Sequence, residues 1–307
     1  MLLQSKETPA TMELVDLAGL SKGAGKGAGL GNSFLSFAAE SDALLHVVRV
    51  FKNADVPHPE ESIDPLRDWK IVETELIYRD LGVIENRVSR LAAKKKITPE
   101  ETSESEILKK MQDNLMEERP LREFPLSDAQ KKALAGFAFL TLKPELIVLN
   151  MSETQKEDEP LIKPITEAAE KAGLSCARLF GSLEMDLAML AQCDQEEFMK
   201  DLGIEELGRD RLIHEAYRLL GLISFFTSGK DEVRAWTLEQ NSTAVDAAGA
   251  IHSDLARGFI RAQVVAYDDF VASGAAIAAC RDKGLLRLEG KEYIVKDGDM
   301  IEIRFNV

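Results

Sequence analysis

The spacing of apolar and polar positions changes several times along the chain, and each change marks a different kind of element. Met12 to Leu17 is a short apolar stretch that ends beside Asp16 and runs into glycines, which predicts a strand. A helix is predicted from Asn32 to Ser41, and a second apolar strand from Ala43 to Phe51. A strand closing on an acid and a glycine turn, then a helix, is the pattern of a parallel α/β sheet. After a polar loop with Pro57 and Pro59 the period becomes helical. Trp69, Val72, Leu76, Ile84, Val88 and Leu91 recur at steps of three, four or eight between charges. Thr98-Pro99 is a helix-start signal, and a second charged helix follows from Glu100 to Arg119. The two predict a helical hairpin whose turn carries Lys94, Lys95 and Lys96, a basic run that reads equally as a solvated helix end or a contact patch.

The α/β pattern then returns. A helix is predicted from Ser127 to Thr141, a buried strand over Glu145 to Asn150, a helix over Pro160 to Ala172, a strand over Leu174 to Leu179, and closing helices from Met185. From about Leu222 the character shifts again. Val233 to Leu238 predicts a strand, Thr243 to Phe259 a helix, Ile260 to Ala266 a strand, and Tyr293 to Val295 with Met300 to Phe305 a hairpin around Asp297-Gly298-Asp299. This β-β-α-β order fits a small ubiquitin-like β-grasp fold.

Composition narrows the function classes. With 38 basic and 53 acidic residues the formal charge is −15, so the surface as a whole repels nucleic acid. RNA or ribosome contact therefore requires a local basic patch, and no DNA specificity is expected. No apolar run approaches the roughly 20 residues of a membrane span, and the first eleven residues have no signal-like apolar core. The three cysteines, Cys176, Cys193 and Cys280, lack metal-ligand spacing and read as reduced thiols of a cytoplasmic protein.

Candidate chemistry begins at Asp16-Leu17-Ala18-Gly19, which fits the D-x-x-G pattern. A carboxylate at a strand end holds Mg²⁺ through water, and the glycine brings its N–H to a γ-phosphate. The alternative is a turn aspartate capping a loop. The five glycines from Gly23 to Gly31 do not make a phosphate loop: with Gly25-Lys26 as the G-K pair, Leu20 stands where the first glycine belongs and Gly27 where the Mg²⁺-binding hydroxyl belongs. Alternating glycines suit a switch-type segment, or a loop without ligand.

The run from Glu13 to Leu35 (ELVDLAGLSKGAGKGAGLGNSFL) resembles the Walker B and switch segment of the YchF/Obg-like ATPases. The likeness continues through Asp42-Ala43, His46-Val47-Val48-Arg49, Asp64-Pro65-Leu66-Arg67-Asp68 and Thr141-Leu142-Lys143-Pro144. It extends to EVRAWT at Glu232, AGAIHSD at Ala248, GFIRAQ at Gly258 and KEYIVKDGD at Lys291. The resemblance implies an α/β chain in three parts. An incomplete G-domain-like parallel sheet would span 1–63 and 142–221, with a helical, coiled-coil-like insertion over 64–141. A TGS-type β-grasp domain would span 222–307. It also implies a ribosome-associated ATPase that binds ATP, with GTP beside it, and Mg²⁺.

On this resemblance, Leu20 replaces the water-orienting glutamine of Ras-like enzymes, and His58 is the candidate catalytic group. Asn150-Met151-Ser152-Glu153 stands where GTPases read guanine with Asn-Lys-x-Asp. Without that Lys and Asp the basis for guanine choice is lost, so Asn150, Met151 and Glu153 are expected to line an ATP base site. Gly19 is expected at the phosphate, and Cys176-Ala177-Arg178, after the last strand, beside the base. The family carries a first strand, phosphate loop and helix ahead of the segment that begins at Met1, and an upstream start is favoured over a truncated paralogue or a deliberately shortened chain. No G-K-[ST] occurs in the chain: Gly25-Lys26, Gly229-Lys230 and Gly290-Lys291 are followed by Gly, Asp and Glu. These 307 residues are therefore expected to be inactive as an ATPase and to have a loosened sheet. The alternative is a non-catalytic ribosome- or RNA-binding adaptor acting through the TGS-like part, with Arg257 and Arg261 as contacts.

Overall fold

The computed structural model describes residues 6–16, 38–152, 160–201, 204, 206–229 and 232–306. The chain divides into two compact units, one of residues up to 14 together with those from 217 on, the other of 15–216.

In the second unit, strands β2 (Leu44–Arg49), β3 (Glu145–Asn150) and β4 (Ser175–Leu179) pair in parallel in that order. Strand β3 is central, and all but its last residue are buried, as a near-continuous apolar run in a parallel sheet requires. Helix α1 (Pro65–Ala92) follows β2. Asp64 caps it by accepting the Arg67 N–H at 3.0 Å, and Pro65 opens the first turn. Helix α2 (Pro99–Met116) starts on a capping box in which the Thr98 and Glu101 side chains each take the other's backbone N–H. The predicted hairpin is present. Ile77 and Ile84 of α1 pack with Leu108, Met111 and Leu115 of α2, and Arg87 pairs with Glu104 across the two helices.

The helix expected from Ser127 to Thr141 is cut short: α3 (Asp128–Leu134) gives way to a 3₁₀ turn, and Ala138 takes a left-handed φ of 48°. The cause is the fully buried Asp80 carboxylate. It accepts the N–H groups of Leu140 (3.0 Å) and Thr141 (2.8 Å) and the Thr141 hydroxyl (2.7 Å), so those donors are lost to a helix. Helix α4 (Ile162–Lys171) connects β3 to β4, and α5 (Gly181–Ala188), α6 (Gln192–Asp201) and α7 (Gly208–Leu219) follow.

The first unit holds a six-stranded sheet. Its strands are β1 (Lys6–Thr8), β5 (Leu222–Ser228), β6 (Glu232–Glu239), β7 (Phe259–Ala266), β8 (Arg287–Glu289) and β9 (Asp299–Phe305). They lie in the order β1-β6-β5-β9-β7-β8, with β5 and β9 parallel and the hairpin partners antiparallel. Apart from β1, this is the β-grasp order. Helix α8 (Ala244–Ile251) packs its alanines against Ile223, Phe225, Phe259, Val264 and Ile301 on one face. Phe270 and Cys280, from the short helices α10 (Tyr267–Ala272) and α11 (Ile277–Asp282), cover Val265 and Met300 on the other.

Four expectations are corrected. No strand forms over the described residues of Met12–Asp16; the N-terminal strand is Lys6–Thr8, parallel to β6. Strand β5 was not anticipated, because its apolar run shows no alternation to separate it from a helix end. The helix expected over Thr243–Phe259 breaks at His252, which is extended and caps the Asp254 N–H to start α9 (Ser253–Arg257). Tyr293–Val295 makes only one isolated bridge, at Ile294. The buried Asp299 accepts from the Lys296 N–H (2.9 Å) and the Tyr293 hydroxyl (2.8 Å), which folds the segment into a knot; β9 pairs with β7 and β5 instead.

Candidate functional site

Ligands of parallel α/β sheets bind beyond the carboxyl ends of the strands. Here those ends are level: Arg49 is in register with Asn150, and Asn150 with Leu179. The ladder continues one step past the strands, where the Val50 N–H donates to Asn150 O at 2.9 Å and the Met151 N–H to Leu179 O at 2.8 Å. Met151 is buried in the core beneath this rim, against which Phe180 packs. The Asn150 side chain stays on the rim and accepts the Gly181 N–H at 3.3 Å, at the start of α5. A Cβ at Gly181 would stand 3.0 Å from that Asn150 oxygen, so the close approach uses the missing side chain. Sequence reasoning did not name Gly181.

Cys176 is placed differently from the expectation. It lies inside β4, opposite Ile147, and not after the strand; the backbone that meets Asn150 is that of Gly181. Burial pushes its thiol up to about 11 despite the nearby Arg178, which suits an inert strand side chain. Gly19 and Glu153 lie outside the described residues. Asp16 is described and exposed, with no ion pair among the described residues.

Between β2 and α1, Arg49 gathers the loop. Its guanidinium stacks 4.5 Å over the Phe51 ring and donates to the carbonyls of Phe51, Asn53 and Val56. His58, farther along, lies against the first turn of α1, with Nε2 3.0 Å from Asp68 Oδ2 and Nδ1 accepting the Glu60 N–H at 3.1 Å. Asp68 stands in the acidic first turn of α1 and pairs with the neighbouring Arg67, so its contact with His58 left no separate signal in the sequence.

At the opposite end of the same sheet lies a buried charge cluster. Glu145, the first residue of β3, accepts from Trp69 Nε1 (3.2 Å), meets His46 Nδ1 at 3.1 Å and faces Arg122 at 2.7 Å. Arg122 also holds Glu73 by two hydrogen bonds of 2.7 and 3.1 Å. Burial, and then the charge of Glu145, push Glu73 up to about 7. Burial works to raise Glu145 as well, but His46 and Arg122 overcome it and hold that carboxyl down at about 2. The cluster joins the sheet to the helical insertion.

Arg257 and Arg261 in the other unit are not a matched pair. Arg257 is tied to Asp254 within α9. Arg261 stands exposed on β7 directly opposite Arg304 of β9. No helix of the described residues is long and apolar enough to cross a membrane.

A family model described as "YchF-GTPase_C: Protein of unknown function (DUF933)" matches residues 222–306. The chain is 42% identical to the ribosome-binding ATPase YchF of Haemophilus ducreyi, over 97% of this chain and 82% of that protein. It is 41% identical to the protein of that name in Bacillus subtilis, over 98% and 83%. Among solved structures, the Schizosaccharomyces pombe YchF GTPase superposes with a TM-score of 0.84 at 30% identity, covering 97% of this chain and 82% of that one.

Proposed function

This chain belongs to the YchF family, and from that premise we propose that its parallel-sheet unit carries the base end of an ATP site in a cytoplasmic, ribosome-binding nucleotide hydrolase. The observation that carries the reading is Asn150, whose amide is held on the strand-end rim by the Gly181 N–H. An amide there offers both a donor and an acceptor to a base edge. Met151 supplies the apolar floor, and Glu153 and Gly19 complete the base and phosphate contacts. Cys176, inside β4, contributes to the wall rather than to the base edge. GTP is accepted beside ATP because no residue of Asn150-Met151-Ser152-Glu153 selects strongly for guanine.

Magnesium fits the one described acid of the front motif. Asp16 offers an exposed, hard oxygen donor, and Mg²⁺ takes few protein ligands, filling its shell from phosphates and water. When bound it supplies charge neutralisation at the phosphates. His58 is the proposed water-orienting group, since Leu20 has no polar atom for that task.

The 307 residues contain no G-K-[ST] lysine loop, so we expect this polypeptide by itself to bind ATP weakly and not to turn it over. The test is titration with fluorescent ATP and GTP analogues, alongside a phosphate-release assay on the same preparation. Binding that Asn150→Ala abolishes supports the site. Turnover matching a YchF relative overturns the inactivity reading, and binding indifferent to Asn150 overturns the site.

A second reading, a ribosome- or RNA-binding adaptor using the TGS-like unit, draws on Arg261. Arg304, directly opposite, is already held by Glu302 at 3.4 Å and Gln263 at 3.0 Å, which leaves the exposed Arg261 as the cation of that rung to meet a phosphate. Ribosome co-sedimentation should then weaken steeply with salt and be reduced by Arg261→Ala but not by Arg257→Ala.

A further inference from the structure

His58 sits between Pro57 and Pro59, and each of its ring nitrogens faces a polar partner. The Glu60 N–H donates to Nδ1 at 3.1 Å, so Nδ1 carries a lone pair and the proton of the neutral ring is on Nε2. Nε2 faces Asp68 Oδ2 at 3.0 Å, a contact short of hydrogen-bond alignment. That oxygen is shut away from solvent, and no aligned hydrogen bond reaches it among the described residues. The other carboxylate oxygen, Oδ1, accepts from Arg67 Nε at 2.9 Å and Nη2 at 2.8 Å. Arg67 is itself fastened to the Ser62 hydroxyl and carbonyl, each at 2.7 Å. Asp68 is thus fixed by the capped first turn of α1 and by Arg67, independently of the histidine it faces.

A carboxylate anchored in this way does what the third group does for any histidine base: it selects the tautomer and holds the ring plane. We propose that Asp68 is the positioning residue for His58, holding the proton on Nε2 and leaving Nδ1 as the one ring lone pair, which the Glu60 N–H caps in this conformation. The proposal rests on the reading of His58 as the water-orienting group. On that reading a water proton is accepted only at Nδ1, after Glu60 has let go, while Nε2–H remains on Asp68. Of the bonds that hold the loop between β2 and α1, the one from the Glu60 N–H to the ring is the one that must break to free that lone pair.

The experiment is long-range ¹H–¹⁵N NMR of the imidazoles in the labelled 307-residue chain, with amide hydrogen exchange at Glu60. The four histidines are His46, His58, His214 and His252, and the other three serve as fold controls. The expected result is His58 in the Nε2–H tautomer in the unsubstituted chain. Asp68→Asn should move part of the population to Nδ1–H, which cannot accept from Glu60. Glu60 exchange should then quicken roughly five- to tenfold, as expected for one lost hydrogen bond. An Nδ1–H tautomer in the unsubstituted chain overturns the proposal, and that measurement needs no variant to fold. An Asp68→Asn chain with unaltered tautomer and exchange overturns it too. None of these readouts uses ATP, so failure of the nucleotide-site reading would leave them unchanged.

Discussion

The two units close their buried polar groups over very different distances along the chain. In the β-grasp unit the knot around Asp299 draws on Lys296, Tyr293 and Arg287, three, six and twelve residues away. In the parallel-sheet unit Glu145 reaches Trp69 across 76 residues, Asp80 reaches Thr141 across 61, and Glu73 reaches Arg122 across 49. A local knot can form as its own segment collapses. A distant one forms only when sheet and insertion meet, and loop closure must be met first. The second unit should therefore lose more from a single cut in its network. Each unit contains one of the two tryptophans, Trp69 and Trp236, so fluorescence of single-tryptophan variants can follow each separately.

The largest expected effect is Arg122→Met. It leaves Glu73 and Glu145 in the interior without their shared cation, which should destabilise the Trp69 unit by about 3–5 kcal/mol in urea unfolding. The Trp236 transition should stay where it was. A loss under about 1 kcal/mol would mean that the cluster is not what joins insertion and sheet.

Next comes the pH dependence of the same cluster. Glu73 titrates near 7 when folded, against an ordinary value near 4.5. Its raised value means that the stability tied to the protonated form is fully present below about 4.5 and lost as pH rises through 7. Between pH 5 and 8 the unsubstituted protein should lose on the order of 2 kcal/mol from this group. Glu73→Gln, which mimics the protonated acid, should match it at pH 5 and exceed it at pH 8. Glu145, held near 2, contributes in the other direction, since its share is present above about 4.5 and lost only on acidification towards 2. Equal pH profiles for the variant and the unsubstituted protein would show that Glu73 is not the titrating acid.

The local knot supplies the contrasting case. Burial and the bond to Asp299 push the Tyr293 hydroxyl up to about 12, so it stays a donor throughout the neutral range. Tyr293→Phe removes two hydrogen bonds, the one its hydroxyl donates to Asp299 and the one it accepts from Arg287, while Arg287 and the Lys296 N–H still reach Asp299. The expected cost is about 1–2 kcal/mol, seen only in the Trp236 transition. A cost as large as that of Arg122→Met would erase the distinction between local and distant networks.

The same distinction explains what the sequence disclosed. The hairpin was legible because its signals are adjacent: Asp64-Pro65, Thr98-Pro99-Glu100-Glu101, and an apolar stripe of period near 3.6. Strand β3 was legible from six residues read alone. Asp80 ending a helix 60 residues on, or Glu145 holding Trp69, had no neighbouring signal to read. The candidate site divided in the same way. Asn150 and Met151 were named from a strand end together with the family resemblance, whereas the contacts of Gly181 with Asn150 and of Asp68 with His58 arise only through the fold. Cys176 was misplaced by its position near the strand's end, because register and not proximity decides which backbone meets the rim.

Gly181→Ala is the smallest expected effect on stability and the most selective. The added Cβ would meet the Asn150 oxygen at 3.0 Å, a contact relieved by turning that amide a few tenths of an ångström aside. An off-rotamer turn of this kind costs about 0.5–1.5 kcal/mol, and the solvent-facing rim should absorb most of it. The Trp69 transition should therefore barely move. Nucleotide affinity should fall by about tenfold, because the amide proposed to meet the base is the group displaced. Affinity lost without stability would assign Asn150 to ligand recognition. Stability lost in step with affinity would make the Asn150–Gly181 bond one more long-range strut, like Glu145 to Trp69, and the strand-end rim would then be scaffold instead of site.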